Sequence, residues 1–405
     1  MERINVAVIG GGQAGLAMSH SLSRVGVEHL VLERGSVGQT WRGRWDSFCL
    51  VTPNWSVQLP EHPYAGDDPD GYMPRDELVA YLEDYASEVS APVREDVEVR
   101  TVERPDDGFV LRTSAGDLGA RAVVLATGAY QRPHRPRGAE TLPADLLQID
   151  VEGYRHPGAL PEGPVLIVGS GQSGCQLAEE LHEAGREVVL ACGRAPWVPR
   201  RIGDRDIVWW AVRDGFLDQS VDELPTPEAR LFANLLSTGH GGGHDLHLRT
   251  LRAMGVTLAG HFLGADDHRV RFADDLLESV AWGDQRYRMA TEDIPKVAAE
   301  LGLPVPEIPE PEPFGEGGPT EMDLTGFGAA IFTSGFRPDY GALAPWPDAF
   351  DEMGFPIQRD GASTVVPHLY FLGVHFLRTR KSSLLLGVGE DAAIVADAIS
   401  GDAGR

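Results

Sequence analysis

Three things are scarce in this 405-residue sequence: cysteine, positive charge and long apolar runs. Cys49, Cys175 and Cys192 occur with no CxxC pair. A disulfide framework and a zinc knuckle are therefore unsupported, and a reducing cytoplasm is the expected compartment. Lys and Arg number 35 against 61 Asp and Glu, a formal net charge of -26. Phosphate backbones and anionic lipid headgroups attract the opposite sign, so neither nucleic acid nor a membrane surface is an expected partner. No apolar run approaches the roughly 18 residues of a membrane helix. Met1 to Asn5 leads straight into a strand and a glycine turn, which leaves no signal-peptide pattern there.

What is present has a globular balance, with 42% hydrophobic and 24% charged residues. The chain exceeds one ordinary core, so two or three domains are expected. Ile4 to Ile9 reads as a short buried strand, Gly15 to Val25 as a helix and His29 to Glu33 as a second strand. The same order returns with Pro164 to Val168 as strand, Gly174 to Ala184 as helix and Glu187 to Ala191 as strand. Two βαβ openings predict an α/β chain with two Rossmann-like dinucleotide-binding domains on parallel sheets. Leu301 to Pro319 carries six prolines, which exclude regular helix and predict a solvated wrapping loop.

Each opening holds a glycine fingerprint. Gly10, Gly12, Gln13, Ala14 and Gly15 lie in a GxGxxG turn after a strand and before a helix. Backbone N–H groups and the helix N-terminus there can approach a pyrophosphate. Glu33, 18 residues past Gly15 and followed by Arg34, can accept both ribose hydroxyls of an adenosine half. In the second turn Gly169, Gly171, Gln172, Ser173 and Gly174 repeat the pattern, and the same count arrives at Cys192. A carboxylate at that place would repel a 2′-phosphate, whereas a neutral Cys192 with Arg194 beside it favours NADPH over NADH. Arg200 and Arg201 follow and could add to a phosphate clamp, with a solvated surface as their ordinary reading.

Further segments carry a family resemblance. They are Gly38 to Ser47 with Thr40 and Trp41, Tyr72 to Glu77, Ala126-Thr127-Gly128, the GSGQSG turn at Gly169, and Thr333 to Asp339. Together with the end segment Leu369 to Gly373 and Gly387 to Asp391, they resemble the class B flavin monooxygenases: the flavin-containing, YUCCA-like and CzcO-like proteins. The resemblance implies FAD at the first turn and NADPH at the second, with Thr40, Trp41, Ala126, Thr127, Gly128 and Leu386 against the cofactors. It also implies that NADPH reduces FAD, that O2 adds to the flavin, and that one oxygen atom passes to a small organic substrate at nitrogen, sulfur or a carbonyl carbon. Asn54 resembles in position the flavin-edge amide of relatives and is the catalytic candidate; an ordinary turn residue after Pro53 is its other reading.

One departure keeps alternatives open. Asp150 stands where the family's FxGxxxH segment places histidine, while the aromatic Tyr154 is retained. An NAD(P)H:acceptor reductase or oxidase, or a flavin-binding regulator, therefore stays beside the monooxygenase reading. The resemblance implies residues 1–157 and 320–405 as the FAD domain, with the NADPH domain at 158–319 inserted, and a homodimer is a common assembly for such an enzyme. Trp41, Trp45 and Trp55 are candidate flavin or pocket walls, and Trp209-Trp210 a candidate pocket for the nicotinamide or substrate. His240, His244, Asp245 and His247 hint at a metal, but the glycine triplet between them breaks the helix such ligation would use, so no metal is expected.

Overall fold

The structure, a computed structural model, describes residues 1–105, 108–231 and 235–403. Glu2–Ile9 forms strand β1, whose last four residues are buried; with neighbours on both faces such a strand needs apolar side chains throughout. Helix α1, Gln13–Arg24, follows, then β2, His29–Leu32. A single turn, α2, covers Gln39–Arg42, and α3 covers Arg75–Glu88. β3 is Val93–Arg94 and β4 is Leu118–Leu125.

The second unit is built from β5 at Leu147–Asp150, β6 at Val165–Val168, helix α4 at Gln172–Glu183, β7 at Val188–Ala191, β8 at Thr257–Ala259 and β9 at Ala329–Phe332. β10 at Leu369–Phe371 and helix α5 at Val388–Ala403 close the chain.

Two sheets result. In the first, β10, β4, β1, β2 and β3 lie in that order, all parallel, with an antiparallel meander of Val99–Glu103 and Phe109–Thr113 paired onto β4. In the second, β5, β9, β6, β7 and β8 are all parallel. α1 packs between the first sheet and α5, burying Leu16, Ala17, Met18 and Leu22 against Val395 and Ala396. α4 buries Cys175, Leu177, Ala178 and Leu181 against the second sheet.

From this arrangement we propose boundaries that differ from those expected. β5 and β9 both belong to the second sheet, although the divisions at 157/158 and 319/320 gave them to the first. The physical reason is that a short apolar run such as Ala329–Phe332 fits any parallel sheet, and its partner is chosen by topology, not local sequence. Outgoing Arg132–Pro133 and returning Phe336–Arg337 pair antiparallel. We propose that these two segments mark the domain crossings.

The proline-rich stretch has no helix or strand from 303 to 319 and wraps the second unit. Arg249 donates to the Glu312 carbonyl at 2.7 Å and Arg252 to that of Glu316 at 2.8 Å. Among the described residues no helix is long and apolar enough to cross a membrane.

Candidate functional site

The two glycine turns are built alike. Gly10 has φ +114°, and a side chain there would sit 2.5 Å from the Ala126 carbonyl oxygen. Gly169 has φ +112°, and its side chain would meet the Thr333 backbone at 2.9 Å. Only glycine combines that conformation with that approach. The neighbouring strands end alike too: Ala126 N–H donates to the Ile9 carbonyl and Thr333 N–H to that of Val168, both at 2.9 Å. Thr333-Ser334-Gly335 is thus the second unit's counterpart of Ala126-Thr127-Gly128, with Gly335 at φ +85° and Gly128 at +83°. Comparing the two strand ends after the fingerprints were aligned would have exposed this pairing.

Gly12 and Gly171 cap α1 and α4 without any side-chain hydrogen bond, and neither helix has an acid in its first turn. The first-turn N–H groups of both helices thus remain for a ligand, and the positive end of each dipole faces the turn. Glu33, 7% exposed at the end of β2, accepts from Gly11 N–H at 2.6 Å through one carboxylate oxygen and from Gly35 N–H at 3.0 Å through the other. Those bonds aim the carboxylate beside the first turn and leave lone pairs for two ribose hydroxyls. Arg34 and Thr40 are both exposed.

At the second turn Cys192 is fully buried, and its Sγ donates to the Leu190 carbonyl at 3.3 Å. Burial raises its thiol well above the ordinary range. Arg194 is exposed and makes no ion pair with a described residue. Ser173 is half-buried, and Gln172 is held on both sides of Ser237: its Nε2 donates to the carbonyl, and Ser237 N–H donates to its Oε1 at 3.0 Å.

A chain of contacts joins the first turn to the chain's end. Trp41 Nε1 donates to Gln13 Oε1 at 2.9 Å, and Gln13 Nε2 donates to the Ser383 carbonyl at 3.4 Å. Ser383 Oγ lies 3.0 Å from His375 Nδ1, and the His375 ring meets Tyr130 edge-on at 4.9 Å between centroids. The Arg44 guanidinium stands 5.6 Å from the Tyr130 ring. Burial pushes His375 down to about 4, so this ring is neutral at pH 7. His375 stands outside every recognised motif, where an isolated histidine gives no signal; Arg44 lies within Gly38 to Ser47, but the motif alone assigns it no contact.

Asn54 is 6% exposed, and its Nδ2 donates to the Asp68 carbonyl at 2.9 Å. Its Oδ1 is buried with no hydrogen-bond partner among the described residues, which is costly for an amide unless a ligand supplies a donor. The uncapped helix ends, the close glycine turns and this orphaned oxygen fit two dinucleotide cofactors. Thr127 Oγ1 accepts from Gln131 Nε2 at 2.7 Å, and Gly128 completes the turn beside it.

Other expected residues lie elsewhere. Leu386 is half-buried and lines a cavity along the far half of α1, away from the glycine turn. Trp45 is buried in the second unit's core with Tyr154, and Trp210 fills a small core with Ile202, Ile207 and Ile294. Arg200 is 2% exposed, not solvated. It pairs with Asp206 and Ser237 and donates to the Val51 carbonyl at 2.8 Å. The histidines each have a separate partner: His244 Nε2 lies 2.6 Å from Glu179, His240 Nε2 3.4 Å from Glu183, and His247 Nδ1 accepts from Thr250 N–H at 3.3 Å. Asp150 is held in a bidentate pair by Arg135 at 2.8 and 3.0 Å, and that guanidinium lies 4.5 Å from the Phe332 ring.

Residues 7–206 match a family described as pyridine nucleotide-disulphide oxidoreductase. The chain is 32% identical over 391 residues to a Geobacillus kaustophilus protein described as an uncharacterized oxidoreductase, CzcO-like, with 96% of each chain covered. It is 28% identical over 211 residues to the probable indole-3-pyruvate monooxygenase YUCCA3 of Arabidopsis thaliana, spanning 48% of each. A flavin-containing monooxygenase from Stenotrophomonas maltophilia shares the fold, with a TM-score of 0.71 at 22% identity and 100% of both chains covered. Fold and matches define a flavin-dependent oxidoreductase that uses FAD and NADPH. Within that class the chain belongs to the family of the CzcO-like oxidoreductases, and the YUCCA and flavin-containing monooxygenases are similar to it over about half its length.

Proposed function

We propose that this chain is an NADPH-dependent monooxygenase that transfers one atom of O2 to a small organic molecule at nitrogen, sulfur or a carbonyl carbon. The observation that carries this reading is the pair of unequal turns, Glu33 at the first and neutral Cys192 with exposed Arg194 at the second, in a chain whose thiols are unsuited to disulfide exchange. Cys49, Cys175 and Cys192 are all buried and unpaired. Burial pushes Cys49 up to about 11 and raises the other two further, so no thiolate is poised at neutral pH to attack a disulfide. The free thiols also suit a cytoplasmic protein.

When bound, FAD accepts two electrons from NADPH and delivers them to oxygen. The chain's own residues bind and orient. The α1 N-terminus and Glu33 hold the adenosine half of FAD, and Gln13 keeps Trp41 and the Ser383 loop in one place at the turn. The α4 N-terminus and Arg194 hold NADPH. Asn54 offers its unpaired Oδ1 as an acceptor, and the neutral ring of His375 adds no charge beside Tyr130.

A second reading, electron transfer from NADPH to a separate acceptor or release of peroxide, is favoured by Asp150, whose tie to Arg135 replaces the family's histidine. Turnover of candidate amines, thioethers and ketones under 18O2 separates the two. One labelled oxygen atom in the product per NADPH consumed is the expected result. Stoichiometric peroxide with unlabelled substrate across the panel would falsify the oxygen-transfer reading.

A further inference from the structure

A two-lobed cavity lies along the C-terminal half of α1, around His20. The larger lobe holds about 820 Å³ between α1, α5 and the loop at 58–61, and the smaller about 350 Å³ toward Tyr85. His20, Arg24, Pro60 and Glu61 line both lobes. Gly10 to Gly15, Trp41, Asn54 and Ala126 to Gly128 line neither. At a rise of about 1.5 Å per residue, His20 is roughly 10 Å along α1 from Gln13, so the cavity is distinct from the dinucleotide turn.

His20 is the observation that points to a ligand. Its side chain is 10% exposed, and its Nε2 is buried with no hydrogen-bond partner among the described residues. The nearest carboxylate oxygen, on Glu61, is 3.8 Å away, beyond a hydrogen bond. Burial lowers the imidazole below its ordinary value, so at pH 7 it is a neutral ring able to accept from a donor. Glu61 itself is 64% exposed, paired to Arg24 at 2.8 Å, and held at φ +62° at the tip of a two-residue hairpin turn. Because Nε2 is buried, a ligand reaches it from the cavity side only when this exposed ion pair moves aside.

The rest of the lining states the ligand's chemistry. Leu59, Val212, Leu217 and Ala396 supply an apolar wall. In the larger lobe four carboxylates, Glu61, Asp218, Glu390 and Asp397, face two cations, and those are already committed: Arg24 to Glu61, and Lys381 to Asp218 at 2.8 Å and to Glu390 at 2.6 Å. Asp397 has no ion pair with a described residue. A buried acceptor, an excess of carboxylate and an apolar wall complement an organic ammonium ion with an apolar tail.

We propose that this cavity is an ancillary binding site for a small aliphatic amine, with the ammonium group donating to His20 Nε2 beside Glu61 and the tail lying between α1 and α5. The proposal does not depend on the oxygenation reading. Leu386 lines the larger lobe and Ser383, three residues earlier, is bonded to Gln13, so an occupant lies against the loop that meets the first turn.

Calorimetric titration of the FAD-loaded protein with n-hexylamine, n-hexanol and n-hexanoate tests it. Hexylamine is expected to bind at least tenfold tighter than hexanoate. Ala393→Trp, on the exposed cavity-facing side of α5, and His20→Phe, which keeps a ring but removes Nε2, should each weaken hexylamine at least tenfold. NADPH-driven flavin reduction by Ala393→Trp should stay within twofold of the parent. Equal binding of the amine and the carboxylate overturns the proposal, as does undiminished amine binding by His20→Phe. Loss of flavin reduction by Ala393→Trp with full FAD content overturns the separation from the redox site, and leaves the oxygen-transfer reading intact.

Discussion

Glu33 and Cys192 occupy equivalent places after two nearly identical turns, and the difference between them is one of charge and reach. Glu33 holds its carboxylate at the surface of the first turn through two backbone N–H groups, whereas Cys192 is withdrawn into the core and bonded to its own strand. The ground beside the second turn is therefore left to Arg194, the exposed cation next along the chain. Arg194→Ala is expected to weaken NADPH binding by about 10- to 100-fold, the loss of one or two charge-assisted hydrogen bonds. NADH should change less than about twofold. Titrations of both nucleotides against the oxidised holoprotein check this, and an equal loss for the two refutes a phosphate role for Arg194.

Among elements, the helix at Leu248–Met254 depends on an uncommon cap. His247 Nδ1 accepts from Thr250 N–H, and Thr250 Oγ1 accepts from His247 N–H at 3.0 Å. The ring packs 4.5 Å from Trp197, and burial drives it down to about 4. Because its folded value lies below the ordinary 6.5, the unfolded chain binds more protons between those limits, so stability is full above pH 6.5 and falls as pH drops through that window. The share owed to His247 is about 2 kcal/mol by pH 5. His247→Asn keeps a capping acceptor and removes the titration. Its urea midpoint should fall less between pH 7 and pH 5 than the parent's, and parallel slopes would contradict the assignment. Such local chemistry was only half legible. Both βαβ openings and the two fingerprints stand out in sequence because period and turn residues are written locally. The destination of Ala329–Phe332, the core role of Trp210 and the burial of Arg200 do not, because each is decided by partners far away in the chain.

At the scale of the molecule, Arg200 ties the second unit to the first. Its guanidinium reaches Val51 in the first unit's loop and Asp206 and Ser237 in the second, and lies 4.9 Å from the ring of Tyr72, whose hydroxyl donates to Asp206 at 2.7 Å. Asp206 is 5% exposed and also caps the helix at Ile207–Arg213. Arg200→Met leaves that carboxylate buried without its cation, at a cost of about 3–5 kcal/mol. Chemical denaturation of the holoprotein measures it, and a loss below about 1 kcal/mol would show that the tie carries no weight.

The antiparallel pairing of Arg132–Pro133 with Phe336–Arg337 brings the outgoing and returning segments of the proposed crossings to one place. Paired backbones there stand only about 5 Å apart. On the proposed crossings, residues 133–336 form a cassette whose two ends share a single doorway. A recombination event could exchange that cassette for another nucleotide-binding unit with one short splice on each side, leaving the order of strands around Glu33 and the first glycine turn as it is.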